Sequence, residues 1–175
     1  MNRIVKEPVH KRSFIFIGLL FILVSVVVAR LAPNSRMKPD MALILTIYCA
    51  LYMRGREGIF LPLFAGAYVG SFSVFPLEFI VLYPALYLGI RFVTSFFQLR
   101  FMGYPMFLAL LLELFVGAIY ALGICLKQPE VFSVKIAFRI IALQAVLTSL
   151  FLPLVFFLFE RFSKRPLFTS RHALQ

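Results

Sequence analysis

The chain has 175 residues, of which 62% are hydrophobic and 14% charged, and its mean hydropathy is +0.97. Soluble domains are nearer half apolar and a quarter charged, so a compact water-soluble fold is excluded. The net charge of +11 does not indicate nucleic acid, because the basic residues cluster at the termini and in short gaps between apolar runs, where charges set membrane orientation.

A membrane span needs about 20 mostly apolar residues. The first predicted span covers 13–32, behind the basic residues Arg3, Lys6, Lys11 and Arg12. That pattern imitates a cleavable signal peptide, but the apolar run is long for one, and the expectation is a retained helix. The second span is short, 37–53. Pro39 suits a first helical turn, where its missing N–H costs nothing, and Asp40 suits the positive end of the helix dipole. A third span covers 57–75 and a fourth 76–97, with Pro84 as a kink. Almost nothing joins these two, so they are expected to form a tight helical hairpin. A fifth span covers 103–126 and a sixth 134–159, with Pro153 bending its last third. The expected fold is therefore all-α: one membrane domain, 1–175, of six transmembrane helices.

With six spans both tails share a side. That side gathers Arg3, Lys6, Lys11, Arg12, Arg161, Lys164, Arg165 and Arg171 from the tails and Arg54, Arg56 and Arg100 from loops. The other side holds less than half as many: Arg30, Arg36, Lys38, Lys127 and Lys135. The positive-inside rule then places both tails in the cytoplasm. No connection is long enough for a soluble domain, so function must lie on helix faces or in a cavity among them.

Charges at membrane depth are costly and usually face the protein interior. Glu78, Arg91, Glu113 and Arg139 qualify as intramembrane polar anchors. Glu113, ten residues into the fifth span, is expected about 15 Å deep, within reach of Arg91 if spans four and five are neighbours. Glu78 and Arg139 sit near the outer face, as a second pair or as snorkelling chains. Small residues supply close-packing signals: Gly66 and Gly70 in the third span, Gly117 and Ala121 in the fifth. Such spacing lets helices approach closely, either within this chain or against a partner.

Absences bear on chemistry. Asp40 is the only aspartate, and both histidines, His10 and His172, are in the tails. Paired-aspartate proteolysis, a Ser–His hydrolase and aspartate-rich phosphotransfer all lack their residues. There is no phosphate-binding loop motif. Cys49 and Cys125 lie in apolar runs without metal or disulfide spacing. The expectation is a protein that is not an enzyme and that uses no cofactor and no metal.

The segment order resembles a known family. Lys38-Pro39-Asp40 leading into the helix Met41 to Tyr48 resembles the second span of the rod shape-determining protein MreD. Glu57-Gly58 through Phe64 to Gly70 is similar to that family's glycine-rich third span, and Leu147 to Arg161, with Pro153 and a basic tail, to its last helix. Two departures stand out. Many MreD sequences carry an acid shortly after the third-span glycines, where this chain reads Gly70-Ser71-Phe72. They also often carry a glycine turn before the fourth span, replaced here by Val74-Phe75-Pro76.

The resemblance implies a non-enzymatic subunit of the bacterial elongation machinery in the inner membrane. It would associate with MreC and, through it, with the actin-like MreB, the polymerase RodA and the elongation transpeptidase. The implied fold resembles the substrate-capture component of energy-coupling-factor transporters. A vitamin-binding component of such a transporter is accordingly the alternative function. Membrane lipids are expected partners on either reading.

Overall fold

A computed structural model describes residues 11–31, 38–53, 56–73, 76–96, 103–127, 129–130 and 133–163. Among the described residues the chain is all-helical. It comprises α1 (Lys11–Leu31), α2 (Met41–Tyr52), a 3-10 turn (Arg56–Ile59), α3 (Phe60–Gly70), α4 (Pro76–Phe96), α5 (Gly103–Lys127) and α6 (Val134–Ser163). His10, His172 and most of both basic tails lie outside the described residues.

Helix placement follows the sequence reading, but span length does not follow it throughout. Among the described residues three helices are long and apolar enough to cross a membrane: Leu77–Ser95 within α4, Gly103–Lys127 and Val134–Phe159 within α6. At about 1.5 Å per residue, α2 with 12 residues and α3 with 11 reach only about 18 and 16 Å, short of a hydrocarbon core about 30 Å thick. The third expected span, 57–75, is shortened at both ends. Its first residues form the 3-10 turn, and the helix stops at Gly70, followed by the turn Ser71–Ser73. Pro62 sits in the first turn of α3 and Pro76 opens α4, positions where a missing N–H leaves no helical bond unmade.

A short helix in lipid would leave the unsatisfied backbone groups of its ends in hydrocarbon, where each costs several kcal/mol. The fold avoids this by enclosing α2. Every residue from Met41 to Ala50 is buried, and α2 packs against α1, α3, α4, α5 and α6. Its sequence is apolar all round, which is the pattern of an enclosed helix. Thr46, its one hydroxyl-bearing Ser or Thr, donates to the Ala42 carbonyl at 2.8 Å and so presents no orphan group to its neighbours.

Around this centre α3 pairs with α4, and α5 with α6, while α1 lies on α6. The α3–α4 hairpin expected from sequence is present. Its closeness is set by Gly66, where an added Cβ would lie 2.5 Å from the Phe79 carbonyl oxygen. Gly117 plays the same part between α5 and α6: a Cβ there would meet Ile141 Cγ2 at 2.5 Å. Helices α1, α3 and α5 end, and α2, α4 and α6 begin, around one shared cavity. That end of the bundle is called distal here, and the opposite end, where α1 begins and α6 finishes, terminal.

Candidate functional site

A cavity of about 700 Å³ opens at the distal end of the bundle. It lies between the second half of α1, the start of α2, the end of α3, the start of α4, the second half of α5 and the first half of α6. Its walls are mostly apolar and aromatic, including Phe21, Tyr68, Phe79, Val116, Tyr120 and Ile140. Polar groups converge on its base.

Asp40 organises that base. It caps α2 with an extended backbone (φ −76°, ψ 94°), and its Oδ1 accepts the Leu43 N–H at 2.9 Å. The Tyr83 hydroxyl of α4 donates to Asp40 Oδ2 at 2.6 Å. The Asp40 N–H donates to the Thr148 hydroxyl of α6 at 2.9 Å. One residue therefore ties three helices together. Thr148, having accepted that bond, keeps its own proton to donate towards the Glu113 carboxyl. Glu113 is near enough to Asp40 for the two carboxyls to interact electrostatically.

This base is recessed. Tyr83 lies seven residues into α4, about 10 Å from its start, and Thr148 fourteen into α6, about 21 Å from its start. Irregular backbone at such depth is tolerated where it is buried in protein or lines a cavity. The capped start of α2 meets both conditions.

Two buried polar atoms around the cavity have no hydrogen-bond partner: Glu113 Oε2 and Ser25 Oγ. Glu113 is only 3% exposed. Buried polar groups are normally paired, and the cost of leaving one unpaired is about 1–3 kcal/mol, more if it is charged.

Comparison with known protein families, curated proteins and solved structures finds no match to this chain. The site is accordingly read from its geometry.

Several expectations are corrected by that geometry. Glu113 does not pair with Arg91. Helix α4 packs mainly on α3 and α2 and meets α5 through side chains at the distal end, where Phe79 faces Tyr120, and not at the level of Arg91. Arg91 is also eight residues, about 12 Å, beyond Tyr83 towards the terminal end. There its guanidinium donates to the Tyr87 hydroxyl at 2.9 Å and lies over that ring at 5.6 Å. Glu78 pairs not with Arg139 but with Lys127 at 3.6 Å, both side chains largely exposed. Arg139 is exposed.

Of the small residues, Gly66 and Gly70 are buried, and Gly117 and Ala121 half-buried. Gly66 and Gly117 are occupied by packing within this chain. A leucine at 66 would be driven into the α4 backbone, so its first effect would fall on the fold and not on a partner. Cys49 is a buried free thiol and Cys125 a half-buried one. No group of three His, Cys, Asp or Glu side chains able to hold a metal occurs among the described residues.

Sequence reasoning placed Asp40 only as a helix-start residue and left out Tyr83 and Thr148. Two signals pointed to more. Asp40 is the sole aspartate of the chain, and it opens a helix too short to span alone.

Proposed function

We propose that this chain is a non-enzymatic membrane scaffold of the bacterial cell-elongation complex, a protein like MreD, holding MreC and through it MreB, RodA and the elongation transpeptidase. The observation that carries the reading is Asp40. The Lys38-Pro39-Asp40 segment, which resembles the family's second span, ends in the residue that joins α2, α4 and α6. On this reading all six helices belong to the membrane domain, with the enclosed α2 and the short α3 supported by their neighbours. The protein lies in the inner membrane with both tails cytoplasmic, as the basic residues favour, and the distal cavity opens outward.

A scaffold needs an outward face for a partner's helix. On α4, Ala85 and Gly89 are exposed in small-xxx-small spacing, and an added Cβ at Gly89 meets no atom within 4 Å. Gly89→Leu therefore tests partner contact without disturbing the chain's own packing. The expected result is loss of co-purification with MreC at unchanged thermal stability, together with rounded cells on depletion of the protein. Normal rods on depletion would overturn the proposal.

The distal cavity favours a second reading, a substrate-capture membrane component. Depletion separates the two, because the second predicts normal rods with a nutrient requirement.

A further inference from the structure

Three features of the distal cavity fit one kind of ligand. Its volume, about 700 Å³, lies in the range of small-molecule sites, roughly 300–1,000 Å³. Its walls are aromatic and aliphatic, which suits an apolar body better than water alone. Its base holds two carboxyls, Asp40 and Glu113, whereas Lys38 is the only basic side chain that lines it among the described residues.

The two acids are not equivalent. Both oxygens of Asp40 are engaged, Oδ1 by the Leu43 N–H and Oδ2 by the Tyr83 hydroxyl. Glu113 has Thr148 as a hydrogen-bond partner, but its Oε2 has none and is buried where the residue lines the cavity. Ser25 Oγ, also buried and unpartnered, lines the same space from α1. A carboxyl oxygen left open beside a second carboxyl accepts a hydrogen bond when Glu113 is ionised, and a positively charged donor favours that ionised form and meets both acids. An anion would face two carboxyls with one lysine against them. A metal ion would find no third His, Cys, Asp or Glu side chain among the described residues, and it would leave the apolar walls without a function.

We propose that the distal cavity binds an amphiphilic amine, with its ammonium group donating to Glu113 Oε2 beside Asp40 and its apolar body against Phe21, Phe79, Val116 and Tyr120. The ammonium chemistry has two possible sources, a free alkyl or aryl amine and the headgroup of an ethanolamine phospholipid. The site does not rest on the scaffold reading, since binding is measured on the purified full chain and is independent of cell shape.

The test compares decylamine with decanol by calorimetry on the detergent-solubilised chain. The two probes share a tail and differ in the head. The native chain is expected to prefer decylamine by at least about tenfold, the scale of one charge-assisted hydrogen bond. Glu113→Gln, which keeps the size of the side chain and its contact with Thr148, is expected to abolish that preference while leaving decanol binding unchanged. Thermal unfolding is followed in parallel. Ile140→Phe, which leaves both acids in place and fills the cavity, provides a second route and should weaken both probes together.

Native mass spectrometry of the chain purified from membranes identifies the source. Retained phosphatidylethanolamine in excess over phosphatidylglycerol, lost in Glu113→Gln, points to the lipid. A decylamine preference without such an excess points to a free amine. Equal binding of decylamine and decanol by the native chain would overturn the proposal, as would a preference that survives Glu113→Gln or an excess of phosphatidylglycerol.

Discussion

The two ends of this bundle are built on different physics. At the terminal end Tyr48 and Tyr52 of α2 meet Phe156 and Phe159 of α6. The ring centroids are 5.0–5.8 Å apart, mostly edge to face. Gly58 is buried there, and a Cβ on it would lie 2.5 Å from the Tyr87 hydroxyl. At the distal end the same central helix begins at a carboxylate, and the surrounding helices part around a cavity. Lipid gives helices no hydrophobic drive to associate, so dispersion and hydrogen bonds must hold them. The terminal end relies mainly on dispersion and is filled. The distal end relies on hydrogen bonds and stays open, because directed polar contacts hold helices at fixed separations without filling the space between them. Stability is therefore expected to concentrate at one end and binding at the other.

The largest expected effect tests the filled end. Tyr48 is 4% exposed and contacts three rings. Tyr48→Ala removes those contacts and leaves a cavity, a change that costs about 3–4 kcal/mol in well-packed cores. Chemical unfolding in detergent measures it. A cost below about 1 kcal/mol would mean that the terminal end is not the chief source of stability.

Asp40→Ala tests the open end and is expected to cost less, about 2 kcal/mol. It removes the helix cap, worth about 1 kcal/mol, and leaves the Tyr83 hydroxyl without its acceptor. Interhelical hydrogen bonds in membranes average only about 0.6 kcal/mol, because the unfolded chain in lipid also finds partners. Asp40→Asn keeps the acceptor for the Leu43 N–H, while its amide NH2 donates to the Tyr83 hydroxyl in place of accepting from it, and should recover about half of the loss. If Asp40→Ala proved costlier than Tyr48→Ala, the division between a stabilising and a binding end would fail.

The difference between the ends also explains what the sequence could convey. Hydrophobic runs and prolines located all six helices, because apolar length and helix starts are local properties. They did not show that α2 is enclosed. A fully apolar helix reads alike whether lipid or protein surrounds it, and only its length of 12 residues distinguishes the two cases. The terminal rings, spaced along α2 and α6, look in sequence like ordinary lipid-facing aromatics. The expected Arg91–Glu113 pair rested on depth alone. Depth is legible from position in a helix, but which helices are neighbours is not, and α4 adjoins α2 where the pairing needed α5. The distal base is assembled from α2, α4, α5 and α6, residues 40 to 148, and no local pattern joins positions so far apart.

The smallest effect sets the lower bound of the comparison. Glu78 and Lys127 are charged and distal, as Asp40 is, yet their side chains are 57% and 56% exposed and 3.6 Å apart. Exposed ion pairs contribute about 0–1 kcal/mol, because solvent screens them and two long side chains must be ordered. Glu78→Gln is expected to change unfolding free energy by less than about 0.5 kcal/mol and to leave decylamine binding unchanged. The contrast with Asp40→Ala is then one of burial and bonding, since both substitutions remove one carboxylate from the same end. An effect of Glu78→Gln as large as that of Asp40→Ala would mean that general electrostatics of the distal face, and not the hydrogen bonds at its recessed base, hold α2, α4 and α6 together.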